Sequence, residues 1–188
     1  MARQAYLEYG LDEIWMIPTG NSPHKDATRM TPGALRLSML REAIEAEAST
    51  DPFLRVCAVE IDSAEKSYTY RTLQHLCERY PMHQFYFLMG ADSLDYFDKW
   101  RHPEIICSCA VILAVNRKGF TEEDMERKVR RMQSLFPADI RIVHGECFDA
   151  ASHEIRDRIA RGEDCSDVLT DAVIAFIRRH RLYENRRE

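Results

Sequence analysis

Glycine is scarce in this sequence, and its few glycines do not form a phosphate-binding loop. Only seven of the 188 residues are glycine, and neither G-x-G-x-x-G nor G-x-x-x-x-G-K-[ST] occurs. The first pattern is typical of dinucleotide-binding turns and the second of P-loops, because both bring backbone close to phosphate groups. Glycine-rich nucleotide-binding loops of both kinds are therefore excluded from these residues.

Long apolar runs and an excess of basic charge are also missing. No apolar run reaches the ~18 residues of a transmembrane helix, and the start, MARQAYLEYG, lacks the apolar middle of a signal peptide. The 31 acidic and 26 basic residues give a net charge of −5, whereas a dedicated nucleic-acid binder needs a basic face. We therefore expect a single cytoplasmic domain over residues 1–188 that binds neither membranes nor nucleic acid. A homo-oligomer remains open.

The six cysteines do not show the spacing of a zinc site. Cys107 and Cys109 form C-x-C rather than C-x-x-C, and no second pair accompanies them. Most of the cysteines lie within apolar segments such as VCAVE and IICSCAVIL. We expect reduced thiols that pack as small hydrophobic side chains, and no protein-bound metal site.

Short apolar runs alternate with amphipathic segments along the chain. The runs predict strands at 13–18, 55–60, 84–90, 109–115 and 139–144. Helices are predicted at 2–9, from Thr31 through residue 48, and at 69–80, 121–136, 153–161 and 170–181. Thr31 and Thr121 are predicted to be the N-caps of their helices, with Pro32 at the first helical position of the former and Asp124 in the first turn of the latter. Strands that are apolar on both faces favour a parallel sheet covered by helices on both sides. The predicted fold is α/β, with a Rossmann-like, open, mostly parallel doubly wound sheet that binds its ligand at the carboxyl ends of its strands.

Two polar clusters lie where an anion could bind. His24 and Lys25 follow the first predicted strand within TGNSPHK, although a solvated basic loop is the more ordinary interpretation. Ser67 and Thr69, in SYTYRTL, precede a predicted helix. A helix start offers free N–H groups to an anion, but the two hydroxyls could equally well serve only as caps.

Two further clusters also follow predicted strands. Gly90 ends the apolar strand FYFLMG, and Asp92 lies just beyond it, a position where acidic residues bind ribose hydroxyls in doubly wound folds. Trp100 offers a stacking face, unless it packs in the core. In the last cluster, Ser152 is a candidate N-cap, and Arg156 is predicted to lie in the first turn of the same helix. Hydroxyl, helix N-terminus and guanidinium together favour a polyphosphate ligand over a merely capped helix.

These clusters together resemble the bacterial nicotinate-nucleotide adenylyltransferases, of the nucleotidyltransferase α/β-phosphodiesterase superfamily. The resemblance covers nearly the whole chain and is carried by five segments in the family's order: LDEIWMIPTGNSPHK, SYTYRTL, FYFLMGADSLDYFDKW, SHEIRDRI and VIAFIRRHRLY. Each segment alone is weak evidence for the family, but five segments in the family's order are specific evidence. SYT-x-x-TL together with GADSL and the tryptophan favours this family over phosphopantetheine adenylyltransferases.

The resemblance implies transfer of AMP from ATP to nicotinate mononucleotide, with release of pyrophosphate and with Mg²⁺ accompanying the ATP. It implies no covalent enzyme intermediate and no catalytic residue among these 188. Residues implied to bind nicotinate mononucleotide are His24, Lys25, Ser67, Tyr68, Thr69 and Trp100. Residues implied to bind ATP are Gly90, Asp92, Ser152 and Arg156.

The sequence departs from the family pattern in two places. Ala151 stands where the SST-x-IR phosphate motif usually has serine, and His153 where it often has threonine. One hydroxyl is lost, at about 1 kcal/mol for a neutral hydrogen bond, but the helix N–H groups and Arg156 remain, so the weaker ATP binding is tolerable. The signature GGTFDPIH-x-GH, with its histidine pair, is absent. We expect this signature, with a first strand, to precede Met1. We also expect little or no turnover from these residues alone, because preorganised phosphate contacts carry much of such catalysis.

Other functions remain open at this stage. The acceptor could be nicotinamide mononucleotide or phosphopantetheine instead. The chain could also be a nucleotide-binding module without catalysis, which would bind ATP without releasing pyrophosphate. A flavodoxin-like domain is the weakest alternative, because it explains none of the five segments.

Overall fold

The computed structural model describes residues 1–23, 30–116, 120–145 and 151–184. The chain divides into two compact units. The first unit comprises Met1–Asp12 and Ser67–Asp149, and the second comprises Glu13–Lys66 and Ala150–Glu188. The prediction of a single domain stays a prediction.

Helices and strands alternate as predicted. The helices are α1 (Ala2–Tyr9), α2 (Gly33–Ala46), α3 (Thr69–Arg79), α4 (Pro103–Cys109), α5 (Glu122–Leu135), α6 (Ser152–Ala160) and α7 (Asp171–Arg179). The strands are β1 (Ile14–Met16), β2 (Leu54–Val56), β3 (Phe85–Gly90), β4 (Ala110–Val115) and β5 (Ile140–Val143). Two short 3-10 helices, Ala91–Asp95 and Phe97–Lys99, follow β3. Every strand pairing in the described ranges is parallel, which confirms the predicted α/β class.

The sheet of the first unit is organised around β4. The strand order is β3-β4-β5, and every residue of β4 is buried. Its even-numbered residues, Ala110, Ile112 and Ala114, pack with side chains from α3, α4 and α5. One face of this central strand is therefore covered by three helices.

The opposite face of β4 is equally apolar. Its odd-numbered residues, Val111, Leu113 and Val115, are almost fully buried together with Ala5 of α1 and Val143 of β5. Because strand side chains alternate between faces, β4 joins two apolar layers, as a doubly wound sheet requires.

The second unit pairs two short strands and two helices. β1 and β2 run parallel, with Ile14 in register with Leu54. α2 packs against α7, and the Arg179 guanidinium of α7 binds both carboxylate oxygens of Glu42 in α2 at 2.5 and 2.7 Å. The buried side chains of this helix pair are Leu37, Phe176 and Ile177.

The strands of the described ranges form two sheets. One is the two-stranded sheet β1-β2 and the other is the three-stranded sheet β3-β4-β5. β1 and β2 have only three residues each. A strand this short can form few backbone hydrogen bonds with an additional neighbouring strand. None of the described helices has both the length and the apolar character needed to span a membrane.

Two predicted caps are wrong. The N-cap of α2 is Pro32 rather than Thr31, and the Thr31 hydroxyl donates instead to the Tyr183 hydroxyl at 3.2 Å. The N-cap of α6 is Ala151, whose carbonyl accepts the first helical hydrogen bond, from Ile155. Ser152 is therefore the first helical residue and not the cap.

The predicted cap of α5 is confirmed and forms a capping box. Thr121 Oγ1 accepts from the Asp124 backbone N–H at 3.1 Å, and Asp124 Oδ2 accepts from the Thr121 N–H at 3.0 Å. The Asp124 carboxylate accepts from the Thr121 backbone N–H and also from the Thr121 hydroxyl, at 2.8 Å, and these two hydrogen bonds, the backbone one above all, lower the pKa of Asp124. Because a capping box satisfies two free N–H groups at once, it fixes the start of α5.

Thr121→Ala removes this cap, and we expect it to lower the free energy of unfolding by about 1 kcal/mol. Urea denaturation of the two proteins measures the difference. Because the pKa of Asp124 is lowered in the folded state, its ionised carboxylate stabilises the folded protein at neutral pH. This contribution to the free energy of unfolding is lost as the pH falls through the lowered pKa. Ser134→Ala, at the other end of α5, is the control and should change stability far less. An equal loss in both variants would contradict the assignment.

The segment of 3-10 helices, residues 91–99, is tied to α5 by two cations. Lys128 pairs with the Asp95 carboxylate and lies over the Phe120 ring, 4.3 Å from its centroid. Arg131 pairs with Asp98 at 3.3 Å. Since this segment carries Asp92 and leads to Trp100, α5 contributes to their placement.

Lys128→Met should lower the free energy of local opening of residues 91–99 by about 1 kcal/mol, because it removes the ion pair with Asp95. Hydrogen exchange resolved to residues 91–99 measures this loss, and roughly fivefold faster exchange is expected there. Arg130→Met is the matched control, since Arg130 pairs with Glu126 on its own helix. Unchanged hydrogen exchange in Lys128→Met would show that the ion pair with Asp95 does not hold residues 91–99 in place.

Candidate active site

The three strands of the first unit end at one edge of their sheet. Gly90 is in register with Val115, and Val115 is in register with Val143. The residues that follow these strand ends therefore lie along the same edge. This is the edge where parallel α/β sheets bind ligands.

Asp92 lies at this edge, as the sequence predicted. It is half-buried in the first turn of the 3-10 helix Ala91–Asp95. Gly90 precedes that helix with an extended backbone, φ −70° and ψ 145°. A ribose-binding role for Gly90 and Asp92 stays a prediction.

Sequence reasoning missed two polar side chains at the same edge. Asn116 follows β4, and its Nδ2 donates to the Phe120 carbonyl at 3.1 Å. His144 follows β5 and contacts Glu8 through both its ring Nδ1, at 2.7 Å, and its backbone N–H, at 2.8 Å. Burial raises the pKa of Glu8, but the hydrogen bonds from His144 outweigh it, and the pKa is lowered. Asn116 and His144 could have been predicted from the sequence, because each directly follows an apolar strand.

The N-terminus of α3 carries the predicted residues Ser67, Tyr68 and Thr69. Tyr68 is the N-cap, Thr69 is the first helical residue, and no side chain caps the helix. The Ser67 hydroxyl is buried and has no hydrogen-bond partner among the described residues. No acidic residue lies in the first turn, so the free N–H groups and the helix dipole keep their positive character.

Topology places this helix start toward the ligand-binding edge. At the other end of α3, Cys77 Sγ donates to the carbonyl of Cys109, directly before β4, at 3.3 Å. That end therefore lies near the amino edge of the sheet. The 11 residues of α3 extend about 16 Å, which takes the N-terminus to the opposite edge.

Trp100 joins this group through its neighbour in sequence. The Arg101 guanidinium lies over the Tyr68 ring, 4.9 Å from its centroid. Trp100 is half-buried against Phe97, with 5.4 Å between ring centroids, and against Phe87 at 6.2 Å. It is thus partly a core residue. The structure brings Trp100 and the residues at 67–69 to one region.

His102 shapes the turn after Trp100. Its backbone is left-handed, with φ 52° and ψ 55°, and its ring contacts Tyr70 edge to face at 4.6 Å. Its Nδ1 lies 3.0 Å from Glu104. Neither Arg101 nor His102 was singled out from the sequence. Pro103, at the start of α4, was the available signal for a helix beginning here.

Two of the described thiols, Cys77 and Cys107, are poorly suited to act as nucleophiles. Burial, as the main cause, raises the pKa of Cys77 and of Cys107 to about 11. Both thiols are therefore protonated at neutral pH, which makes them poor nucleophiles. The cysteines in the described ranges are free, as predicted: Cys57, Cys77, Cys107, Cys109 and Cys165.

The second unit contains the predicted phosphate residues Ser152 and Arg156. Both are exposed, and the Arg156 guanidinium lies over the Tyr183 ring, 5.9 Å from its centroid. Arg156 is the fifth residue of α6 and so lies in its second turn, not in the first as predicted. The predicted phosphate role stays a prediction.

The loop after β1 is described only up to residue 23, so the predicted residues His24 and Lys25 lie outside the described residues. Its described part is held within the second unit. The Gly20 N–H donates to Glu60 at 3.3 Å, and Asn21 forms a parallel bridge with Lys66.

Comparison with known proteins identifies the family. The cytidylyltransferase-like family matches residues 1–158. A Clostridium botulinum (strain Loch Maree / Type A3) protein named "Probable nicotinate-nucleotide adenylyltransferase" is 33% identical over 185 residues, which cover 98% of this chain and 90% of that protein. A Bacillus mycoides (strain KBAB4) protein of the same name is also 33% identical over 185 residues, covering 98% of this chain and 89% of its own.

Solved structures show the same fold. The nicotinic acid mononucleotide adenylyltransferase of Plasmodium falciparum complexed with NaAD superposes with a TM-score of 0.70 at 20% identity, over 92% of this chain and 83% of that one. The same enzyme complexed with APC gives a TM-score of 0.67 at 19% identity and the same coverage. The chain therefore has a Rossmann-like fold and belongs to the cytidylyltransferase-like family, as a relative of the nicotinate-nucleotide adenylyltransferases.

Proposed function

We propose that this protein transfers the adenylyl group of ATP to nicotinate mononucleotide, producing deamido-NAD and pyrophosphate in NAD biosynthesis. The observation that carries the proposal is 33% identity to proteins named for this activity over 98% of the chain. The positive N-terminus of α3, beside an aromatic side chain, supports an acceptor that has both an anionic group and a flat ring. The free thiols support a reducing, cytoplasmic location.

The proposed reaction is a direct displacement at phosphorus. A phosphate oxygen of nicotinate mononucleotide attacks the α-phosphorus of ATP and forms a new P–O bond. The bond from that phosphorus to the oxygen bridging it to the β-phosphorus breaks, and the electron pair leaves with pyrophosphate. Positioning and charge neutralisation carry such a reaction, so no covalent enzyme intermediate is required.

In this proposal, residues 67–69 bind the nicotinate group. The α3 N–H groups and the buried Ser67 hydroxyl donate to the ring carboxylate, and Trp100 stacks on the pyridine ring. Gly90 and Asp92, at the sheet edge, bind the ribose of ATP. His24 and Lys25 bind the mononucleotide.

The triphosphate is assigned to α6. Ser152 and the N–H groups of the first turn donate to phosphate oxygens, because a helix N-terminus favours anions. Arg156 adds a guanidinium, which suits phosphate geometry.

Mg²⁺ is expected to enter with ATP. No three acidic, histidine or cysteine side chains converge on one point within the described ranges. Mg²⁺ is usually held by substrate phosphates together with one or two carboxylates, so the triphosphate itself would supply much of its coordination. The ion supplies charge neutralisation on the phosphates when bound.

Pyrophosphate release from Mg-ATP tests the proposed activity, with nicotinate mononucleotide, nicotinamide mononucleotide and phosphopantetheine as separate acceptors. The 188-residue chain and a form extended through the codons upstream of Met1 are assayed side by side. We expect nicotinate mononucleotide to give the highest kcat/KM, because only its ring carries a carboxylate. If both forms bind ATP by calorimetry but release no pyrophosphate, the activity is contradicted and a nucleotide-binding module is the better description.

Trp100 provides a direct reporter of acceptor binding. The chain has two tryptophans, so Trp15→Phe leaves Trp100 as the only one. We expect nicotinate mononucleotide to quench its fluorescence, because the pyridine ring would stack on the indole. Trp100→Phe, which keeps Trp15, is the control and should show no quenching. Calorimetric binding without quenching in Trp15→Phe would contradict the stacking role.

A further inference from the structure

Arg101 differs from many arginines of this protein in having no acidic partner among the described residues. Among the described residues, arginines that pair with acids include Arg55, Arg127, Arg130, Arg131, Arg141, Arg158, Arg161 and Arg179. Arg101 is exposed and lies instead over the ring of Tyr68. The two acids closest to it in sequence, Asp98 and Glu104, pair with Arg131 and His102 respectively. The charge of Arg101 is thus available to a ligand.

The surroundings of this guanidinium favour an anion. Tyr68 is the N-cap of α3, whose first turn has no acidic residue. The buried Ser67 hydroxyl, without a partner in the described residues, lies next to it in the chain. Trp100, the proposed stacking side chain, directly precedes Arg101. A cation, free helix N–H groups and a flat aromatic face therefore occur together.

We propose that Arg101 is a specificity-determining residue, whose guanidinium selects a mononucleotide with a ring carboxylate over one with a ring carboxamide. This inference rests on the proposed function and concerns its acceptor.

The two acceptors differ in charge rather than in shape, and this difference explains the need for a cation. Backbone N–H groups and a serine hydroxyl donate to either a carboxylate oxygen or an amide oxygen. A guanidinium distinguishes them, because it forms an ion pair with both oxygens of a carboxylate, whereas a neutral carboxamide offers it one acceptor oxygen and an NH2 donor. Contact with the Tyr68 ring preorganises the planar guanidinium, so less conformational freedom is lost on binding.

The test compares Arg101→Gln, Arg101→Lys and Arg79→Gln. Arg79 is the matched control, since it lies over Tyr80 at the other end of α3, 5.8 Å from the ring centroid. Each protein is assayed for kcat/KM with nicotinate and with nicotinamide mononucleotide at equal Mg-ATP, in whichever form of wild type releases pyrophosphate. If neither form does, calorimetric affinities for the two mononucleotides replace kcat/KM.

Arg101→Gln should lower kcat/KM or affinity for nicotinate mononucleotide about 10- to 100-fold, the range expected for one charged hydrogen bond, and change that for nicotinamide mononucleotide less than about threefold. Arg101→Lys should recover part of the preference, because it keeps the charge. Arg79→Gln should change neither value.

Two results would overturn the proposal. If Arg101→Gln leaves the ratio of the values for the two acceptors unchanged, with or without an equal loss for both, Arg101 does not select between them. Turnover by wild type in the same assay would leave the proposed function intact. Failure of wild type to bind either mononucleotide would overturn the proposed function and this inference together.

Discussion

Burial of β4 on both faces is the constraint on which the first unit depends. A strand covered by α1 on one side and by α3, α4 and α5 on the other must be apolar at every position, and β4 is. This arrangement fixes the register of β3 and β5 on either side, because a slip by one residue would exchange the two faces. The common edge at Gly90, Val115 and Val143 follows directly from that register.

The chemistry of the candidate site comes from what surrounds this rigid sheet. Backbone N–H groups at the start of α3, the Trp100 ring and the Arg101 guanidinium all lie on segments that the core holds in place. Tyr70 packs in the core directly after α3 begins, and Phe97 anchors the segment before Trp100. The anion recognition proposed for this site would thus use groups whose positions are set by apolar packing, which limits the entropy lost on binding.

The sequence was most informative where periodicity or caps are local. The apolar runs predicted the five strands, although β2 ends at Val56 and not at residue 60 as predicted, and Thr121 with Asp124 predicted the start of α5. The start of α2 was not predictable in this way, because the Thr31 hydroxyl bonds to Tyr183, far along the chain. The division of the strands into two sheets likewise depends on pairings that no local pattern records.

In the candidate site, motifs in the sequence pointed to Ser67, Tyr68, Thr69 and Trp100. Arg101 was not predicted, because its side chain contacts the ring of Tyr68, which lies 33 positions away in sequence. α4 was missed because its apolar residues IICSC merge with the strand that follows.

The left-handed backbone of His102 has a consequence for the precision of the turn. A side chain with φ near 52° carries a conformational cost that glycine does not have. Glycine at this position would relieve that cost but lose the ring contact with Tyr70 and the pairing with Glu104. The turn that carries Trp100 and Arg101 therefore accepts a backbone cost at His102 in exchange for contacts that fix the positions of these two side chains. Such a trade between stability and positioning is common at functional sites.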